Sequence, residues 1–180
     1  GLLAEQHMLT ATHGINTHKG AIFNLGFACA AIGKCVAENK AIEASEISKL
    51  LQLNWNHKLL HHLKRHQSNH GQQMREKYGI TGAIEEVASG FITVREISLP
   101  CFKQTYMKTQ SLELSAIQTL FSLMAHVQDT NIVWRGGLSS LLIVQDMAKD
   151  FLQAGGVLQL NWKQQVQQIC DYFVQQHLSP

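Results

Sequence analysis

The sequence has few prolines and few charged residues. Only two of its 180 residues are proline, so long stretches of the chain are free to form helices. Charged residues make up 16% of the chain, against about 25% in an average soluble domain. The 15 Lys and Arg nearly balance the 13 Asp and Glu, and the formal charge of +2 excludes a general polyanion-binding surface. We therefore expect no nucleic-acid partner.

Cysteine pairs, hairpin turns and membrane signals are also scarce. The four cysteines show no CxxC spacing, which is typical of buried thiols in a reducing compartment and predicts a cytoplasmic protein. The most apolar stretch, residues 20–33, is internal and shorter than the roughly 20 residues that span a bilayer. We expect no membrane partner and no signal peptide. No Asn-Gly or Asp-Gly pair predicts a β-hairpin.

Apolar residues make up 45% of the chain and recur mostly at the spacing of a helix. Residues 20–38 are apolar almost all round, which predicts a buried central helix. Residues 91–98 alternate like a strand, but they are predicted to continue the helical stripe before them. We predict an all-α, single-domain, multi-helix bundle over residues 1–180. The clearest stripes contain Ile47, Leu50 and Leu51; Ile84, Val87, Ala88 and Phe91; Ile117, Leu120, Phe121 and Met124; and Val166, Ile169, Cys170 and Phe173.

A first candidate site lies in residues 13–20, directly ahead of the predicted buried helix. The start of a helix offers unpaired N–H groups and a positive dipole, and Lys19 adds a full charge beside them, a combination that suits phosphate. Asn16, Thr17 and His18 are able to supply amide, hydroxyl and imidazole contacts. The alternative is ordinary capping by Asn16 or Thr17, with Lys19 in solvent.

A second candidate site lies in residues 129–137, in a predicted connection. Asp129 and Asn131, two positions apart in a loop, can offer oxygens to a hard cation such as Mg²⁺. Arg135 is suited to phosphate oxygens, and the two glycines that follow it allow close backbone approach at another helix start. The alternative is an Asx-turn that ends in a glycine-assisted cap.

A third segment runs from His70 to Pro100 and contains Glu86 and Arg95. On a straight helix these two charged residues would lie on opposite faces, so they would serve different partners. Glu86 is a candidate general base or metal ligand, although a single Glu on a helix is usually solvated.

A cluster of histidines precedes this third segment. It invites a zinc interpretation, but no carboxylate sits between its members as in HExxH, and lysine and arginine are interspersed. A basic, solvated helix face is the simpler interpretation. The cluster comprises His57, His61, His62, His66 and His70.

Together these segments resemble the triphosphoribosyl-dephospho-CoA synthase family, the CitG-like proteins and their malonate-decarboxylase counterparts. The string Asn-Thr-His-Lys-Gly is specific, and it is followed in order by Asp-Thr-Asn and Arg-Gly-Gly. The resemblance extends from residue 1 to about residue 140. Its motifs are Ala4-Glu5, Gly14 to Phe23, His70-Gly71, Tyr78-Gly79, Gly82-Ala83, Gly90-Phe91, Val94-Arg95, Leu99-Pro100, Asp129-Thr130-Asn131 and Arg135-Gly136-Gly137.

The chain departs from the family pattern in two respects. Ile84 stands where the family usually has an arginine, so a role for that arginine is in doubt here. The family's N-terminal Pro-Lys-Pro-Gly-Leu-Val-Asp segment and its Gly-Gly-Ser-Ala-Asp segment are both absent. We therefore expect a family member that is truncated at both ends.

The resemblance implies transfer of the triphosphoribosyl group of ATP to the 2′-hydroxyl of 3′-dephospho-CoA, with release of adenine. It implies Mg²⁺ as the cofactor that accompanies ATP. The product would be the precursor of the citrate lyase acyl-carrier prosthetic group, and a downstream transfer enzyme is a conceivable partner. The alternatives are a Mg²⁺-dependent nucleotide hydrolase and a non-catalytic module that binds a nucleotide or CoA. Neither the pathway, citrate lyase or malonate decarboxylase, nor the oligomeric state follows from the sequence.

The resemblance also suggests roles for the candidate residues. Glu86 is the expected base or second metal ligand, and His18 is the alternative acid or base. His70 and Arg95 are expected to contact the nucleotide or the CoA pyrophosphate, and Asp129 and Asn131 to hold Mg²⁺. The expected phosphate contacts are Asn16, Thr17, Lys19, Gly20, Arg135, Gly136 and Gly137.

Overall fold

A computed structural model describes residues 1–63 and 70–178, with the backbone alone for residues 70–72. Within these residues the regular structure is entirely helical, which confirms the all-α prediction. A π-helical turn spans Val94–Ser98 and a 3₁₀ turn spans Gly156–Leu158. The α-helices are α1 (Leu2–Ala11), α2 (Lys19–Ala37), α3 (Ala44–Leu63), α4 (His70–Tyr78), α5 (Ala83–Ala88), α6 (Leu99–Thr109), α7 (Leu112–His126), α8 (Thr130–Gln153) and α9 (Trp162–Gln175).

The chain divides into two compact units. The first unit comprises Gly1–His66 and Ala83–Phe91, and the second comprises Gln67–Gly82 and Ile92–Pro180. Helices α1, α2, α3 and α5 therefore belong to the first unit, and the remaining helices belong to the second. That residues 1–180 form one domain stays a prediction.

The core of the first unit is built where α2, α3 and α5 pack together. Aromatic rings extend the core along α2, since the Phe23 and Phe27 centroids are 4.9 Å apart and Phe27 meets Trp55 edge-on at 5.8 Å. Such pairs contribute about 0.5–1.5 kcal/mol beyond their burial. The buried apolar residues of this core are Ala31, Leu51, Leu59, Val87 and Ala88.

Helix α2 forms where the sequence predicts a helix, but the prediction that it is buried all round is wrong. Only Ala31 and Cys35 are buried, whereas Leu25 is 65% and Val36 is 62% exposed. Apolar residues are distributed almost evenly around this helix. Its neighbours in the first unit, however, pack against only one side of it. Burial follows from where those neighbours pack, which the composition of α2 does not specify.

By length and composition alone, α2 would suffice to cross a membrane, with a mean hydropathy of 1.6. It is the one such helix within the described residues. The prediction from residues 20–33 that this stretch is too short to span a bilayer is wrong, because the helix extends to Ala37. One such helix does not by itself assign a membrane role.

Helix α5 is shorter than predicted. Residues 92–98 are helical and not a strand, as expected, but they do not continue α5, because the helical path breaks at residues 89–91. Gly90 takes a positive φ of 73°, and the Phe91 N–H donates back to the Glu86 carbonyl at 2.8 Å. This is the hydrogen bond of a Schellman motif, which ends a helix. Gly90 also packs closely against α3. A Cβ at this position would lie 2.3 Å from the Ser48 Oγ, so only glycine fits where the helix ends.

Two amide side chains of α3 complete the end of α5. The Gln52 Nε2 donates to the Ser89 carbonyl and the Asn56 Nδ2 donates to the Ala88 carbonyl, each at 2.8 Å. The last carbonyls of a helix have no partner within the helix, so these donors satisfy groups that would otherwise be unpaired. Because Gln52 and Asn56 lie one turn apart on α3, they fix the orientation of α5 against it.

The second unit is built around α7 and α8. Its centre is the pair Phe121 and Phe151, whose ring centroids are 4.1 Å apart. The 3₁₀ turn is anchored to α7 by the Gln118 Oε1, which accepts from the Val157 N–H at 2.9 Å. The buried core residues are Met74, Ile80, Phe121, Met124, Ala125, Ile132, Val133, Leu141, Val144, Ala148, Phe151, Val157, Ile169, Phe173 and Leu178.

Candidate functional site

The segment ahead of α2 forms a tight turn whose side chains lie at the surface. The Asn16 Oδ1 accepts a hydrogen bond from the Lys19 N–H at 3.0 Å, so Asn16 caps the helix as one of the two interpretations predicts. The Thr17 Oγ1 lies 2.8 Å from the His18 Nδ1. These residues and Gly20 are all exposed.

Capping by Asn16 leaves part of the first turn of α2 unsatisfied. Within the described residues, the N–H groups of Gly20 and Ala21 have no hydrogen-bond acceptor, whereas the Ile22 N–H reaches the His18 carbonyl at 2.9 Å. Both residues are exposed, and unpaired N–H groups at a helix start favour an anion. Capping and phosphate binding therefore use different N–H groups and are compatible here.

The structure adds Glu5 to this segment, a residue that the sequence analysis quoted as part of a motif but gave no role. Its Oε1 lies 2.7 Å from the Lys19 Nζ and joins α1 to α2. The Gly14 N–H donates to the Leu9 carbonyl at 2.8 Å at the end of α1, and the His18 N–H, 3.1 Å from the Met8 Sδ, links the turn to this helix. No local pattern in the sequence predicts this contact, because Glu5 and Lys19 lie on different helices.

Glu86 lies in the first turn of α5 and is half-buried. The start of α5 is close to the start of α2, because a Cβ placed on Gly20 would lie 3.9 Å from the Ala83 Cβ. Ile84, which stands where the family has an arginine, packs against the core of the first unit. The first unit therefore brings Glu86 and the segment of Asn16 to Gly20 into one region.

In the second unit, Asp129 caps α8. Its Oδ1 accepts from the Asn131 N–H at 2.7 Å and from the Ile132 N–H at 3.2 Å, as the Asx-turn interpretation predicts. Its other carboxylate oxygen makes no hydrogen bond or ion pair with the described part of the chain. Asn131 is exposed in the first turn of the helix.

The segment that was predicted to be a connection, residues 128–137, is largely helical. Arg135 is exposed on α8, and Gly137 interrupts the helix with φ 76° and ψ −178°. Gly136 is required by close packing, because a Cβ there would lie 2.2 Å from the Ser140 Oγ. The two glycines therefore produce a kink within one long helix, after which the helical path restarts.

Arg95 lies in the π-helical turn that precedes α6. Pro100 has no N–H to donate to the carbonyl four residues earlier, and a wider turn ahead of it accommodates this gap. The Arg95 Nη2 is 3.5 Å from the Glu96 Oε1, while its Nε is buried without a hydrogen-bond partner among the described residues. The side chain of the other predicted contact, His70, lies outside the described residues.

The described part of the histidine-rich face of α3 is exposed to solvent, as predicted. His57, Lys58, His61 and His62 are all exposed, and the rings of His57 and His61 stack with centroids 6.4 Å apart. His66 lies outside the described residues. Across the residues that were searched, no group of three or more His, Cys, Asp or Glu side chains could hold a metal ion.

The predicted site residues therefore form two groups. Asn16, Thr17, His18, Lys19, Gly20 and Glu86 belong to the first unit, and Arg95, Asp129, Asn131, Arg135, Gly136 and Gly137 belong to the second.

Residues 1–180 match the family model described as ATP:dephospho-CoA triphosphoribosyl transferase, CitG. The chain belongs to the CitG family. It is 60% identical over 180 residues to a probable 2-(5″-triphosphoribosyl)-3′-dephosphocoenzyme-A synthase of Acinetobacter calcoaceticus, covering all of this chain and 62% of that relative.

More distant relatives carry the same description. A probable synthase of Photobacterium profundum is 37% identical over 183 residues, and the synthase of Klebsiella pneumoniae is 37% identical over 186 residues. These matches include all of this chain, and 58% and 61% of the two relatives. The chain thus spans about three fifths of the length of the CitG relatives it matches. No solved structure matches it.

Proposed function

We propose that this chain carries the triphosphate-binding part of an ATP:3′-dephospho-CoA triphosphoribosyltransferase. The observation that carries the proposal is the start of α2, where Lys19 is the first residue of the helix and the N–H groups of the next two residues, Gly20 and Ala21, have no acceptor among the described residues. The sequence of this turn is the one on which the family resemblance depends. Family membership supports the proposed reaction, and the geometry of the turn supports binding of the triphosphate there.

The proposed reaction breaks the bond between C1′ of the ATP ribose and N9 of adenine. A new bond joins C1′ to the 2′-oxygen of dephospho-CoA, the 2′-hydroxyl proton passes to a base, and adenine leaves with a proton on nitrogen. The triphosphate stays attached throughout, so its contacts bind and orient the ribose. As in glycoside hydrolysis, positive charge develops at the anomeric carbon and favours a nearby carboxylate.

Glu86 is the proposed base, with His18 as the alternative acid or base. Glu86 is supported by its location, since its helix begins beside the start of α2. A half-buried carboxylate can accept a proton and can also stabilise the positive charge at C1′. His18 is exposed in the turn itself, from which a ring nitrogen could donate to the leaving base.

Arg135 is a further proposed phosphate contact, as the family resemblance implies. Arg135 is exposed and, among the described residues, makes no ion pair, so its guanidinium is available for phosphate oxygens. Arg95 is proposed to contact the nucleotide or the CoA pyrophosphate, since its buried Nε has no acceptor among residues 1–63 and 70–178. The same role for His70 depends on the family resemblance alone.

Mg²⁺ is proposed to accompany ATP and to be held by Asp129 and Asn131. The donor set is compatible with this ion, because Mg²⁺ commonly takes one or two carboxylates and fills its other positions with water and substrate phosphates. The capping bonds occupy one Asp129 oxygen and leave the other. When bound, the ion would neutralise charge on the triphosphate.

A second candidate function is nucleotide or CoA binding without turnover. It is favoured by Ile84, an apolar residue that stands where the family has an arginine and packs against the core of the first unit.

Three further proposals come from the sequence. They are a cytoplasmic location, the absence of membrane and nucleic-acid partners, and a link to the acyl carrier of citrate lyase or malonate decarboxylase.

Release of adenine from ATP tests the proposed function directly. We expect release that requires both dephospho-CoA and Mg²⁺, and a decrease of at least tenfold in kcat/KM for ATP in Lys19→Ala, because a charge-assisted phosphate contact contributes about 1.5–3 kcal/mol. Chromatography of the products separates the candidates. Adenine release that is unchanged in Lys19→Ala contradicts the assignment.

Two other outcomes would identify the alternative functions. Phosphate or nucleoside products that form without dephospho-CoA would indicate a hydrolase. Thermal stabilisation by ATP without any product would indicate the non-catalytic module.

A further inference from the structure

The ion pair between Glu5 and Lys19 is the starting point, since it places a carboxylate against the cation of the proposed phosphate site. The two atoms are 2.7 Å apart, and the pair joins the first two helices of the chain. By contrast, Glu38, which follows the last residue of α2, pairs with Lys34 one turn earlier and with Lys40 two residues later. A carboxylate next to a phosphate site repels the phosphate and weakens its binding. We therefore asked what Glu5 contributes to the site.

A backbone contact links α1 to the turn ahead of α2, beside the ion pair of Glu5 and Lys19. The Gly14 N–H bonds to the Leu9 carbonyl at 2.8 Å, and the Thr12 Oγ1 donates to the Met8 carbonyl at 2.8 Å. The His18 N–H lies 3.1 Å from the Met8 Sδ. The first two bonds close the end of α1, and the third joins α1 to the residue directly before Lys19, so the two helices that carry Glu5 and Lys19 are linked.

The pair is also easily exchanged. The Lys19 side chain is 61% exposed and the Glu5 side chain 27% exposed, and ion pairs in solvent typically contribute only about 0–1 kcal/mol to stability. A multiply charged phosphate chain that also bonds the N–H groups of Gly20 and Ala21 would attract Lys19 more strongly than one carboxylate does. Lys19 can therefore leave Glu5 for a phosphate oxygen at little cost.

We propose that Glu5 is the counter-ion of the phosphate-binding Lys19 and makes the start of α2 selective for a cation-chelated triphosphate over a bare polyanion. This inference rests on the proposed function. A bare triphosphate brings its full negative charge next to the Glu5 carboxylate, which repels it. A chelated triphosphate carries two charges fewer, so the repulsion is smaller. Glu5 thereby determines the charge state of the ligand that binds.

Binding of inorganic tripolyphosphate, with and without Mg²⁺, tests this selectivity by calorimetry at low ionic strength. We expect Glu5→Gln to bind metal-free tripolyphosphate about three- to tenfold more tightly than the unaltered chain, the effect of one unit charge several ångströms away near a solvent-exposed site. The difference should become smaller with Mg²⁺ and at high salt. Glu5→Asp keeps the charge and should bind like the unaltered chain.

Glu38→Gln is the matched control, because Glu38 pairs with a lysine at the opposite end of the same helix. It should leave tripolyphosphate binding unchanged, and thermal unfolding of each variant checks that the fold is kept. If Glu5→Gln binds metal-free tripolyphosphate equally or more weakly, the counter-ion role is wrong. If only Lys19→Ala changes binding, this inference fails and the proposed phosphate site stands. If the unaltered chain binds no tripolyphosphate, both are wrong.

Discussion

At the scale of single residues, the candidate site shows that a helix cap and a ligand site need not exclude each other. The Asn16 Oδ1 caps α2 by accepting from the Lys19 N–H, while the N–H groups of the next two residues find no acceptor in the described part of the chain. Asp129 caps α8 with Oδ1 while its second oxygen makes no contact within the described residues. The sequence analysis set capping against ligand binding at both positions. Because each residue uses only part of its hydrogen-bonding capacity, both interpretations can hold.

Asp129 allows the two roles to be measured separately. Asp129→Asn keeps an oxygen that can cap α8 and should change the free energy of unfolding by less than about 0.5 kcal/mol. Asp129→Ala removes the cap and should cost about 0.5–2 kcal/mol. If Asp129 also holds Mg²⁺, both variants should lose most of the Mg²⁺ dependence of ATP binding. Chemical denaturation and calorimetry with and without Mg²⁺ give the two quantities.

A matched control is Asp146→Asn, which changes a carboxylate that pairs with Lys149 on the exposed side of the same helix. It should alter neither the unfolding free energy nor the Mg²⁺ dependence by a measurable amount. If Asp129→Asn retains full Mg²⁺ dependence, Asp129 acts only as a cap.

At the scale of helices, the end of α5 shows how one residue overrides a periodic pattern. The apolar spacing through Phe91 predicts a longer helix, but Gly90 adopts a positive φ and the chain turns. The backbone at Gly90 also approaches α3 so closely that no side chain fits there. The end of α5 is thus determined by contact with α3 together with the conformational freedom of glycine.

Gly90→Ala should therefore destabilise the protein strongly. The new Cβ would sit 2.3 Å from the Ser48 Oγ and 2.8 Å from the Ser48 backbone oxygen, at a φ that alanine disfavours. We expect a loss of about 2–4 kcal/mol in the free energy of unfolding, from backbone strain and overpacking combined. Urea denaturation measures it.

Gly26→Ala is the matched control on α2. A Cβ at Gly26 meets nothing within 4 Å, and the residue lies inside a regular helix. This change should stabilise the protein by about 0.5–1 kcal/mol, because alanine favours the helix. Equal effects of the two substitutions would contradict the structural account of Gly90.

At the scale of the whole molecule, each of the two compact units has its own apolar core. The exposed apolar side of α2 lies outside the core of the first unit, although its composition resembles that of a core helix. Hydrophobic composition measures how much a helix could bury. How much it does bury depends on which neighbours pack against it.

Two substitutions in the first unit, one at a buried leucine of α3 and one at an exposed leucine of α2, test which side chains are buried. Leu51→Ala removes a fully buried side chain and should cost about 2–5 kcal/mol, since it loses burial and opens a cavity. Leu25→Ala, at a side chain that is 65% exposed, should change the unfolding free energy by no more than about 0.5 kcal/mol. A cost above 2 kcal/mol for Leu25→Ala would show that this side of α2 is buried in solution.

Much of the fold could be predicted because helical periodicity is a local property of the chain. The stripes at Ile47 and Ile117 lie in α3 and α7, and the near absence of proline agrees with an all-α chain. Family membership could be predicted because Asn16 to Gly20 forms a rare string. Glu5 was given no role because its contact with Lys19 depends on how α1 folds back against the turn, which no local pattern encodes.

The sequence by itself determined the helical class, the family and the scarcity of charge, which restricts functional charges to a few positions. The tertiary structure decided that Lys19 pairs with Glu5, that α5 ends at Gly90 against α3, and that α2 buries only part of its apolar surface. The physical reason is the range of the interactions involved. Helix formation depends on residues three and four positions apart, whereas ion pairing between helices, close packing at glycine and burial depend on segments that only folding brings together.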